Sequence, residues 1–108
     1  MNASLIAGLR AQCNGPRDGA LLRFSLGNAL LEQGEHAAAM EEFRRAVAFD
    51  ANYSAAWKLL GKACLASGDN DGAAQAWRSG IAVAQKRGDK QAEKEMTVFL
   101  RRLEKEQP

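Results

Sequence analysis

Three side chains in this 108-residue chain could carry covalent or acid–base chemistry: His36, Cys13 and Cys64. A histidine acting as general base needs a Ser or Cys brought to it in space, and an acid to orient the ring. His36 is the only histidine, flanked by Glu35 and three alanines, and neither cysteine is near it in the sequence. Cys13 falls at the end of a predicted helix and Cys64 at a predicted core position, so both have structural readings. A structural zinc site takes clustered Cys and His ligands, which one histidine and two scattered cysteines do not supply. Neither G-x-G-x-x-G nor G-x-x-x-x-G-K-[ST] occurs, so no phosphate cradle and no cofactor is signalled. The residues do not describe an enzyme.

What remains is the chemistry of binding. Lys58 and Lys62 are one helical turn apart and would share a face, where two ammonium groups favour an acidic ligand. Fifteen Lys+Arg against thirteen Asp+Glu leave a formal charge of +2, too balanced to advertise nucleic acid. Basic residues outnumber acidic ones over 78–105, but acids interleave throughout and no exposed aromatic is offered for stacking. Two cysteines are too few for a disulfide framework and point to a reduced compartment. The apolar run Leu5-Ile6-Ala7-Gly8-Leu9 is too short for a signal-peptide core, and no apolar stretch reaches the roughly 18 residues a membrane span needs. A cytoplasmic protein is expected, without a membrane partner.

These residues have to be positioned by something, and the scaffold shows itself as a repeat. Leu26-Gly27 recurs as Leu60-Gly61, Gly34 as Gly68, Ala39 as Ala73, and Phe43 as Trp77, each 34 residues on. An acid follows the second glycine both times, as Glu35 and Asp69. Each unit reads as two helices. In the first, 20–33 carries Leu22, Leu26, Ala29 and Leu30 on one face, and 37–49 carries Ala39, Met40, Phe43, Ala46 and Val47. Gly34 supplies the stop between them. In the second, 53–67 is followed by 70–87, with Ala73, Ala76, Trp77, Gly80, Ile81 and Ala84 facing inward. Asn52 and Asp18 are the expected helix caps. Short connections make each pair antiparallel. Gly27 and Gly61 stand mid-helix, where glycine costs up to about 1 kcal/mol against alanine. Close approach of a neighbouring backbone, at Ala39 and Ala73, is the expected compensation.

A 34-residue period of this kind resembles the tetratricopeptide repeat. Trp57-Lys58-Leu59-Leu60-Gly61-Lys62-Ala63-Cys64 is similar to that family's W-x-x-L-G-x-x-Y, with Cys64 in place of the tyrosine. Ala73, Trp77 and Gly80 stand where the family reads A, F and A. In the first unit Leu26, Gly27, Leu30, Ala39, Phe43 and Ala46 match, while Arg23 replaces the tryptophan and Ala51 an often-present proline. The resemblance implies an all-α, right-handed solenoid of antiparallel helix pairs, about six helices in one domain. Its parts would be an N-terminal helix within 1–15, repeats at 20–53 and 54–87, and a capping helix at 89–105, with Ala92, Met96, Phe99, Leu100 and Leu103 on one stripe.

The resemblance also implies a function. In the family, the first helices of successive units line a concave groove that takes a peptide or a partner helix. On this chain that groove would present Phe24, Asn28 and Leu31, then Lys58, Lys62 and Leu65. Asn28 matches an asparagine that grips a terminal carboxylate in some members, but Phe24 stands where those members carry lysine, leaving that clamp incomplete. The expected partner is a protein or peptide, with acidic ones favoured. The alternatives are self-association through the apolar Met96–Leu103 stripe, and a ligand on the opposite face beside Glu41, Arg44, Arg45 and Arg78.

Overall fold

The structure, a computed structural model, describes residues 3–106. Among them are six helices and no strand: α1 (Ala3–Gln12), α2 (Ala20–Glu32), α3 (His36–Phe49), α4 (Ser54–Ala66), α5 (Asn70–Arg87) and α6 (Lys90–Glu106). The helices follow the sequence periodicity to within about a residue at most ends, where assignment is loosest. Met1 and Asn2 lie outside the described residues.

Turns are set by glycine. Gly34, Gly68 and Gly88 take φ of 81°, 84° and 74°, the left-handed conformation that ends a helix without a Cβ clash. The chain then turns back at once. The amide of Glu35 donates to the Leu30 carbonyl, and the amide of Asp69 to that of Cys64, the same bond in both repeats. The pairs α2–α3 and α4–α5 therefore pack along their lengths, and α6 packs on α5 in the same manner. The first helices of successive units also meet: α2 touches α4, and α4 touches α6. α6 thus stands as the first helix of a third unit.

One core runs through the stack. Leu26, Phe43, Trp77 and Met96 are its largest fully buried side chains, joined by Ala39, Ala63, Ala73 and Ala84. Burying an apolar side chain of this kind contributes about 1.5–3 kcal/mol. Met96 and Leu103 of the α6 stripe face this core, with Phe99 and Leu100 half-buried beside them.

The mid-helix glycines make room for aromatic rings rather than for a neighbouring backbone. A Cβ on Gly27 would lie 2.8 Å from the Phe43 ring, and one on Gly61 would fall inside contact distance of the Trp77 indole. Ala39 and Ala73 are buried but are not what these glycines accommodate. The empty space beside Gly61 brings the Trp77 Nε1 within 3.1 Å of the Lys58 carbonyl, to which it donates. A fully buried N–H thereby finds its acceptor on an already helical residue.

Two predicted caps act differently. Tyr53, not Asn52, occupies the N-cap of α4, and its side chain makes no capping bond. The Asn52 amide instead donates to Asp50 Oδ1 in the preceding turn. Gly19 is the N-cap of α2, and Asp18 serves the residue that breaks the family pattern, Arg23. Arg23 is 7% exposed, and each of its guanidinium nitrogens donates a hydrogen bond. Its Nε and one terminal nitrogen donate to both oxygens of Asp18 at 2.8 and 2.7 Å, and the other nitrogen donates to Glu42 Oε1 at 2.9 Å. Asn14 Oδ1 accepts a longer bond at 3.4 Å. A bidentate guanidinium–carboxylate pair of this geometry is the strong kind. It holds the Asp18 carboxyl down at about 2, helped by the Asn14 amide, and it strengthens the proton affinity of Arg23. In the second unit Trp57 takes the same register, and its indole N–H donates to the Ala51 carbonyl at 2.8 Å. Both residues tie the loop ahead of their helix to its first turn.

Candidate functional site

The predicted groove residues lie on α2 and α4, and the structure adds α6 as a third wall. On α2, Asn28 is exposed, Leu31 is half-buried, and Phe24 has its ring 4.8 Å from that of Tyr53 and 5.9 Å from that of Phe43. Phe24 is thus wedged into the packing and offers an edge rather than a free side chain. Tyr53, half-buried beneath it, has its phenol pushed above the ordinary range by burial, with Asp50 adding to the effect.

On α4 the two lysines part company. Lys58 Nζ pairs with Glu95 Oε1 of α6 at 3.1 Å, so its charge is answered within the chain. Lys62 has no acidic partner among the described residues, and its ammonium sits over the Phe99 ring, 4.8 Å from the centroid. This is a cation–π contact. Leu65, one turn further on, is 44% exposed. Lys62, Leu65, Trp77, Phe99 and Leu103 line a cavity of about 250 Å³, with Arg102 and Glu106 completing its walls. The lining is mainly apolar. The structure therefore gathers Lys62 and Leu65 into one site with the C-terminal half of α6, and leaves Phe24, Asn28 and Leu31 further along on α2.

Phe99 and Arg102 had no place in the sequence-predicted groove, because a helix read as a cap has no groove face. Their spacing of three residues, one helical turn, was the available signal. The opposite face has its predicted charges, but they are paired: Arg44 with Glu41 and Asp69, Arg45 with Glu42, and Arg78 with Glu104.

No hydrogen bond joins His36 to either thiol among the described residues. Cys13 Sγ donates to the Leu9 carbonyl at 3.6 Å, and Cys64 is buried with its thiol pushed up by burial, the reverse of an activated nucleophile. Among the described residues no three His, Cys, Asp or Glu cluster as a metal site would require, and no helix is long and apolar enough to cross a membrane.

Stacked antiparallel helix pairs, with a glycine–aromatic contact inside each and a face of first helices left open, define a helical-repeat protein of the kind built for holding other proteins. The chain belongs to the tetratricopeptide repeat family. The family's description, Tetratricopeptide repeat, matches residues 30–92. Over 101 residues the chain is 54% identical to the TPR repeat-containing protein PA0015 of Pseudomonas aeruginosa, covering 94% of this chain and 96% of that one. The solution structure of protein BPP2914 from Bordetella parapertussis is 48% identical, superposes with a TM-score of 0.80, and covers 94% of this chain and 89% of its own. Two crystal structures of MamA, 21% and 24% identical, share the fold with TM-scores of 0.68 and 0.72. They match 93% and 94% of this chain, and 65% and 58% of their own lengths.

Proposed function

We propose that this protein is a non-enzymatic binding module that takes a segment of a protein partner along the face formed by α2, α4 and α6. The observation that carries the reading is that unpaired cations sit beside exposed apolar side chains on the first-helix face. On the first-helix face, Lys62 and Arg102 have no acidic partner among the described residues and flank exposed Leu65 and half-exposed Phe99. On the other face Arg44, Arg45 and Arg78 are paired with acids. Asn28, Leu31, Lys62 and Leu65 would contact the ligand directly. Phe24 would form a wall, and Lys58 could take part only by giving up Glu95. Apolar members would supply contact area, and the cations would speed encounter and favour acidic segments.

Self-association through the Met96–Leu103 stripe is less well supported, since Met96 and Leu103 are buried within the chain. The test is a pull-down from the native lysate followed by chemical-shift mapping with the captured partner. Shifts at Asn28, Leu31, Lys62 and Leu65 support the reading. Shifts confined to Glu41, Arg44, Arg45 and Arg78 would place the ligand on the wrong face for it.

A further inference from the structure

We propose that the α4–α6 cavity is an anchor pocket for one large apolar side chain of an acidic peptide, with Lys62 and Arg102 holding Asp or Glu residues beside that anchor. The inference rests on the groove reading above and gives its ligand a chemistry. Size comes first. At about 250 Å³ the cavity falls just below the roughly 300–1,000 Å³ of small-molecule pockets and suits one side chain rather than a cofactor. Its walls are Leu65, Phe99, Leu103 and an edge of Trp77, the surroundings an aromatic or long aliphatic group prefers.

Charge then selects what flanks the anchor. Lys62 of α4 and Arg102 of α6 both line the cavity, with Glu106 as its one acid. Neither cation is salt-bridged among the described residues, whereas Lys58, one turn away, is neutralised by Glu95. The Lys62 ammonium already lies over Phe99, one of the cavity walls. An acidic residue on either side of the anchor answers both cations. A neutral peptide leaves them unanswered, and a basic one is repelled.

A recognition site of this form concentrates its energy in one buried side chain and uses rim charges for selection.

The test uses the full chain and three blocked synthetic peptides of equal length: Gly-Asp-Phe-Asp-Gly, its Asn-flanked analogue Gly-Asn-Phe-Asn-Gly, and the anchor-less Gly-Asp-Ala-Asp-Gly. Each is titrated while amide and side-chain shifts are followed. The first should perturb Lys62, Leu65, Phe99 and Arg102, and should bind about tenfold more tightly than either control, with an affinity that falls as salt rises. Lys62→Glu combined with Arg102→Glu should abolish the preference for the Asp-flanked peptide while lowering the melting temperature by only a few degrees, the share of the lost Lys62–Phe99 contact. Equal binding of the Asn-flanked peptide overturns the charge assignment, and equal binding of the alanine peptide overturns the anchor. Shifts at Asn28 and Leu31 with a silent pocket overturn this proposal and leave the groove reading standing. Shifts confined to Glu41, Arg44, Arg45 and Arg78 overturn both.

Discussion

Three helical glycines make an internal experiment on what holds the repeats together. Replacing glycine by alanine in a helix interior gains about 0.8–1 kcal/mol from backbone propensity alone. At Gly8, in α1, an added Cβ meets nothing within 4 Å, so the gain should be realised in full. At Gly27 the new methyl lies 2.8 Å from Phe43 Cε1, so the fully buried ring has to shift. The result should be close to neutral, or a loss of about 1 kcal/mol. At Gly61 the methyl coincides with the Trp77 indole, a side chain only 1% exposed whose Nε1–H donates to the Lys58 carbonyl. Moving the ring away breaks that bond and strands a buried donor, costing about 1–3 kcal/mol on top of overpacking of similar size. After the propensity gain is subtracted, Gly61→Ala should lose about 1–5 kcal/mol, or roughly 5–30 °C of melting temperature for a domain of this length. Thermal melts by circular dichroism on the three variants give the order Gly8→Ala above wild type, then Gly27→Ala, then Gly61→Ala. A Gly61→Ala protein that melts at or above the wild type would refute the ring-pocket account, because propensity would then be the whole effect.

Other perturbations probe other parts of the molecule. Met96 is completely buried, with its sulfur against Gly80, so Met96→Ala should lose about 2–5 kcal/mol in urea titrations; a loss under about 1 would make α6 a loosely attached helix. The Asp18 carboxyl sits at about 2 when folded against an ordinary value of 3.8, so its pair with Arg23 stabilises the fold above pH 3.8 and is lost as pH falls through about 2. The stability gap between wild type and Asp18→Asn should accordingly be widest near neutrality and close on acidification, and a gap that widens instead contradicts the pairing. Under native alkylation Cys13, half-buried, should react well ahead of Cys64, whose thiol is buried and harder to ionise; mass spectrometry of partially labelled protein reads the order directly.

α2, α4 and α5 were legible because each carries two agreeing signals: an apolar stripe of helical period, and a glycine whose positive φ ends it, at Gly34, Gly68 and Gly88. The neighbour of Gly27 and Gly61 was harder, since a small residue does not say which small or large group it faces. The clue was a shared separation: Phe43 follows Gly27, Trp77 follows Gly61, and Met96 follows Gly80, each by sixteen residues. Arg23 looked like a simple loss of tryptophan, because a buried arginine is readable only once its acids are placed, and Glu42 comes from another helix. The site was half legible. Lys62 and Leu65 follow from repeat register, while Phe99 and Arg102 depend on α6 lying against α4, a contact beyond the two matched units.

The tie between Arg23 and its partners limits how this chain can be lengthened. Asp18 and Asn14 stand ahead of the segment 20–53, so a tandem copy of that segment would carry the arginine without them. Five residues before the copied arginine, where Asp18 stands now, would be Asn52, a neutral side chain in place of a carboxylate. The copied guanidinium would keep Glu42 and be stripped of its bidentate acid. The second unit needs no acid in that role, because the Trp57 indole donates to a backbone carbonyl. Duplication of 20–53 installs a buried, half-satisfied charge, and the first unit is an edge piece by chemistry as well as by position.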